Sequence, residues 1–189
     1  MGRAEELFEE SARQFHELGD EHYALLALRS LAWATYELGD LERTRALHED
    51  NLRRARALPN EFIVASTLGA LAGMAVDAGR IEEAVALLKE SHRVHRDLGD
   101  PLDVAVNLCR FAQVLVAAGR AAPAAQLVAT YEALCDEIGA GVPWAARTNE
   151  ETLAAARALL DDAEFDEAWA EGRTLSADEA VALALASLE

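Results

Sequence analysis

Apolar residues return along this chain every three to four positions, and the returns are interrupted at regular intervals. Between residues 22 and 38 the apolar series is Tyr23, Leu26, Leu31, Ala34 and Leu38; between 81 and 98 it is Ile81, Val85, Leu88, Val94 and Leu98. A spacing near 3.6 predicts helices rather than strands, whose period is 2. The interruptions read Leu18-Gly19-Asp20, Leu38-Gly39-Asp40, Ala78-Gly79-Arg80, Leu98-Gly99-Asp100, Ala118-Gly119-Arg120 and Ile138-Gly139-Ala140. These glycines fall 20 residues apart, and Leu58-Pro59-Asn60 stands where one is missing. A glycine at a helix end supplies the left-handed residue that stops it, and an Asp just after can cap the next helix. Asp100-Pro101 predicts a helix start, with proline at the first helical position. Thr148-x-x-Glu151 and Ser176-x-x-Glu179 both read as capping boxes, and the spacing predicts a helix over roughly 148–161.

Successive intervals differ. The segments 22–38, 61–78 and 101–118 are the more apolar, whereas 41–58, 81–98 and 121–138 carry more charge. The repeat is therefore a pair of helices about 40 residues long, one inner and one outer. Small residues recur in register: Ala32, Ala72 and Ala112, then Gly39, Gly79 and Gly119, then Thr44, Ala84 and Ala124. Antiparallel helices approach closely only where side chains are small.

This register resembles the tetratricopeptide repeat over about residues 4 to 140. The usual unit of that family is about 34 residues, so the helices here are longer by most of a turn. The resemblance implies an all-α, right-handed α-solenoid of antiparallel helix pairs. Its repeats occupy 1–141, as a half repeat over 4–20 and full repeats over 21–60, 61–100 and 101–140; a divergent helical cap follows over 142–189. In the half repeat Ala4, Phe8 and Ser11 align with Thr44, His48 and Asn51. An open half repeat exposes core positions, so either an inner helix lies upstream in a longer natural protein or a second copy covers the end. Leu7, Phe8 and Phe15 are the residues that would face that copy as a homodimer.

The stretch from Phe165 to Val181 contains Ala168-Trp169-Ala170-Glu171-Gly172-Arg173-Thr174-Leu175-Ser176. It resembles the end of the C-terminal arrays of bacterial signal-transduction ATPase and LuxR-type transcriptional regulators. The resemblance implies the sensor or scaffold end of such a regulator, in the cytoplasm. No phosphate-binding Gly-Lys-Ser/Thr loop is present to supply an ATPase.

Composition narrows the partners. Hydrophobic residues make up 52% and aromatics only 6%, which suits close-packed Ala- and Leu-rich helices. A net charge of −17 repels phosphate backbones and anionic membrane surfaces, so neither direct nucleic-acid binding nor membrane binding is expected. Cys109 and Cys135 form no Cys-x-x-Cys motif and read as reduced, packed thiols. His92-x-x-His95 sits on an outer helix and reads as a solvated face, and His48-Glu49-Asp50-Asn51-Leu52 lacks the second His of a zinc-protease helix, so no metal or other cofactor is implied. Trp144 and Trp169 read as packing anchors. No nucleophile sits in a strained turn, so no enzyme activity is expected.

Binding remains. In tetratricopeptide repeats ligand contacts come from the inner helix, which implies a concave face built from three sets of residues. The first is Arg29, Trp33 and Tyr36; the second is Ser66, Gly69, Gly73 and Val76; the third is Val106, Cys109, Arg110, Gln113 and Val116. An arginine and two aromatics a turn apart make an anchor for a protein or peptide ligand. A small-molecule effector on the same curve and self-association are the alternatives.

Overall fold

The computed structural model describes residues 2–189, and its described residues form helices and no strand. In chain order these are α1 (Arg3–Glu17), α2 (Glu21–Glu37), α3 (Leu41–Arg56), α4 (Glu61–Asp77), α5 (Ile81–Leu98), α6 (Pro101–Ala117), α7 (Ala121–Ile138), α8 (Pro143–Arg157), α9 (Asp162–Gly172) and α10 (Ala177–Ser187). No helix is long and apolar enough to cross a membrane among the described residues.

The glycine interruptions act as expected. All six have φ between 71° and 80°. At Gly119 the amide donates to the Val116 carbonyl (3.0 Å) and the Arg120 amide to that of Leu115 (2.8 Å), which closes the end of α6. Nothing lies within 4 Å of a Cβ added there, so a substitution meets only the backbone penalty. Gly119→Ala is expected to lower stability by about 1 kcal/mol in urea unfolding, without altering the fold. Asp20, Asp40 and Asp100 accept from the amides of Tyr23, Arg43 and Leu102, capping α2, α3 and α6. Asn60 does the same for α4 through Ile63.

The C-terminal part departs from expectation at its start. Pro143 opens α8 five residues before Thr148, because a proline at the first helical position loses no hydrogen bond. Thr148 therefore lies within the helix, where its carbonyl accepts from the Thr152 hydroxyl (2.9 Å), and it caps nothing. The expected single helix over 148–161 is instead the later part of α8, followed by a break and a new start capped by Asp161. The Ser176–Glu179 capping box forms as read.

Consecutive helices pack from α1 through α7, and α4 also touches α2 and α6. On the other side Arg43 of α3 pairs with Glu5 (3.0 Å) and Glu9 of α1, while Arg45 and Arg56 reach Glu83 (3.0 Å) and Glu90 (2.8 Å) of α5. The exposed pairs contribute under about 1 kcal/mol each, Glu5 is itself buried, and together they mark α1, α3 and α5 as neighbours. Ala32, Ala72, Ala112, Thr44, Ala84 and Ala124 are all fully buried, as close helix packing at those registers requires. The largest core cluster joins Leu88, Phe111, Leu115 and Leu127 to Ala145 of α8 and to Ala180, Val181 and Ala184 of α10. Residues 142–189 thus share the core of the last helix pair. At the other end Leu7 is 59% exposed, but Phe15 stacks on Tyr23 at 5.2 Å and Phe8 turns into the cavity described next. Of the three residues read as facing a second copy, only Leu7 lies open on the surface.

Candidate functional site

One cavity of about 850 Å³ opens among α1 to α6 and is bounded at one end by α8. Arg29, Ser30, Trp33 and Tyr36 of α2 line it, together with Ser66, Gly69 and Gly73 of α4 and Val106, Arg110 and Gln113 of α6. Of the residues singled out from the repeat register, Cys109, Val76 and Val116 do not line it. Cys109 shares the 40-residue register of Arg29 and Gly69, but α8 covers this position in the last pair. Its thiol is fully buried, lies 3.7 Å from the Ala145 carbonyl, and is pushed up to about 12 by burial. Cys109 therefore packs instead of presenting a contact. Both cysteines are free thiols.

The glycines have a clear local task. A Cβ on Gly69 would stand 3.0 Å from the Arg110 Nε, and one on Gly73 3.2 Å from an Arg110 terminal nitrogen. The missing side chains of α4 make room for the guanidinium of α6. The Trp144 ring lies under Arg110, 4.6 Å from Cζ to the centroid. Trp144 is a packing anchor in this sense, but it also lines the cavity. Trp169 stacks on Phe165 at 5.9 Å, away from it.

Two buried histidines stand at the cavity, and one of them, His95, corrects the reading of His92-x-x-His95 as a solvated face. His48 is 6% and His95 4% exposed, and both line the cavity from α3 and α5. The cause is visible in the register: His48 occupies the position of Leu88 and Val128, both fully buried. The 40-residue repeat carried that signal, which outweighs the polar character of the residue. His48 Nδ1 has no hydrogen-bond partner. Burial first, then the nearby Arg110 and Arg29, hold its pKa down at about 4. His95 lies 3.5 Å from an Asp103 carboxylate oxygen. His92 is also buried, edge-on to Phe111 at 6.4 Å, so the His92–His95 pair is packed between helices and not displayed to solvent.

Charges are arranged by depth. At the exposed rim Tyr36 donates to Asp77 (3.1 Å), and Arg147 of α8 pairs with Glu37 at the end of α2 (3.4 Å). Burial first, then Asp77, raises the Tyr36 phenol above its usual range. Deeper, Arg29 and Arg110 form no ion pair or hydrogen bond among the described residues; each lies against an aromatic ring, Phe62 for Arg29 at 5.5 Å and Trp144 for Arg110. Desolvation lowers both, Arg110 to about 10, while Asp103 opposes the effect at Arg29 from beyond ion-pair distance. The structure thus places His48, His95, Trp144 and Arg147 at the site beyond those the repeat register selected. No family model matches this chain, and no curated protein matches it.

Proposed function

We propose that this chain is a non-catalytic recognition domain: a right-handed α-solenoid of tetratricopeptide-like helix pairs that receives a ligand on its concave side. The buried small residues at 40-residue spacing and the alternating neighbours α1, α3, α5 and α2, α4, α6 support the solenoid. The cavity carries the functional part of the reading. It gathers side chains from each helix pair, and its volume falls within the range of about 300–1,000 Å³ typical of small-molecule sites. Because α8 bounds one end, a compact ligand fits better than an extended peptide running through the groove. Partner-peptide binding, the leading expectation from the sequence, becomes the second reading, favoured by Trp33 and Tyr36, which stand 45% and 36% exposed at the mouth. The similarity of 165–181 to regulator tails supports placing the domain at the sensing end of a bacterial transcriptional regulator.

A thermal-stability screen of metabolites beside short peptides tests this reading. A ligand specific to the folded chain at a hundred times its Kd adds about 2.7 kcal/mol. Trp33 and Trp144 are two of the three tryptophans, so their fluorescence reports occupancy. Trp33→Ala is expected to weaken any ligand so found by about tenfold or more, with the fold intact. Equal affinity in the variant would sink the assignment.

A further inference from the structure

The floor of the cavity is wired for negative charge in a chain whose net charge is −17. The Arg110 guanidinium lies beside the glycine face of α4 and over the indole of Trp144. No acceptor among the described residues takes its N–H groups, so they are the part left to bind. Planar N–H edges match the oxygens of a carboxylate or phosphate. Arg29 reaches the same cavity from α2. None of the carboxylates that line the cavity pairs with either arginine: Asp77 holds the Tyr36 hydroxyl, Asp103 faces His95 and acts on Arg29 only from beyond ion-pair distance, and Glu151 is exposed. The buried His48, within the influence of both guanidinia, is neutral at pH 7 and keeps an unpartnered Nδ1. Arg29 and Arg110 are half-buried on the cavity wall, and their unpaired N–H groups face a site where an opposite charge would be held by charge-assisted bonds.

We propose that the occupant is a small organic anion whose carboxylate or phosphate is held by Arg110 and Arg29 while a flat apolar part rests against Trp33 and Trp144. The proposal builds on the reading of this cavity as a ligand site and adds the chemistry of the ligand. The anionic oxygens are common to both headgroups, and the probes separate them.

The full chain is titrated at pH 7 and low salt with benzoate, its neutral analogue benzamide, and phenyl phosphate. The signals followed are the arginine Nε–H groups and the His48 imidazole by NMR. At least one anion is expected to bind about tenfold or more tighter than benzamide, because charge-assisted bonds replace neutral ones. The tighter anion identifies the headgroup. The His48 pKa in the wild-type chain is expected to rise on saturation, since an anion offsets the two guanidinia. Arg110→Met and Arg29→Met should each remove the preference, and Arg93→Met on the exposed face of α5 should leave it. If benzoate and benzamide move the cavity signals equally, the anion proposal is overturned and the ligand-site reading stands. If none of the three moves them at about 50 mM, a level that detects even millimolar affinity, both are overturned. Anion binding that survives in the Arg29→Met/Arg110→Met double variant, or saturation that leaves the His48 pKa unmoved, also overturns the proposal.

Discussion

Gly172→Ala is expected to destabilise the chain by about 3 kcal/mol, more than any exposed glycine in a turn. Gly172 ends α9 where that helix crosses α7. An added Cβ would stand 2.2 Å from the Gln126 carbonyl oxygen and 2.6 Å from its Cα. Both atoms are backbone, so no rotamer change relieves the overlap and the helices must separate. Separation breaks a bond as well, because the Thr130 hydroxyl lies 2.7 Å from the Gly172 carbonyl. It also opens the small cluster in which Ala125, Phe165 and Ala168 pack between the same helices. The loss should be local first: amides of α9 exchange early while those of α4 to α6 stay protected, because α10 has its own contacts with α6 and α7. Urea unfolding with hydrogen exchange reads both effects. A change under about 1 kcal/mol would mean that α9 shifts freely on α7.

The two glycine roles show what sequence makes legible. The left-handed glycines recur at fixed spacing, five of the six with Asp or Arg behind them, so local chemistry alone placed the helix boundaries from 20 to 140. Gly172 is not part of that spacing. Its one local sign is Ala168 a turn earlier, a small-residue pair of the kind that lets helices touch. Gly69 and Gly73 look like the same sign, yet what they admit is a side chain from α6, about 40 residues away. Such a contact depends on the rotation of each helix and on the extra helix α8. The same dependence explains Cys109, which the register turns toward the cavity and α8 covers. His48 is the opposite case: its register partners Leu88 and Val128 marked it as buried, and residue polarity concealed it.

His48 should also make the fold acid-sensitive, and His48→Leu should remove much of that sensitivity. The imidazole is depressed to about 4 in the folded chain, against an ordinary value near 6.5 when unfolded. Above pH 6.5 neither state is protonated there, and the residue contributes no pH dependence. As pH falls from 6.5 toward 4, the unfolded chain binds a proton that the folded chain refuses, so stability drops with falling pH. The full difference amounts to roughly 3 kcal/mol and is complete below pH 4. Carboxylates contribute to acid unfolding in both proteins, so the informative quantity is the difference between wild type and variant at pH 7.5 and at pH 4.5. Leucine suits the site because Leu88 fills the same register with no exposure. It also removes a buried nitrogen that has no partner, so the variant should be no less stable at pH 7.5. The gap in its favour should widen by about 2–3 kcal/mol at pH 4.5. Parallel pH profiles for the two proteins would mean that water reaches the imidazole and solvates its charge. Arg110 and Arg29 are the groups that, after burial, hold this pKa down. An anion seated on them should therefore flatten the wild-type profile and leave that of His48→Leu unchanged at this step.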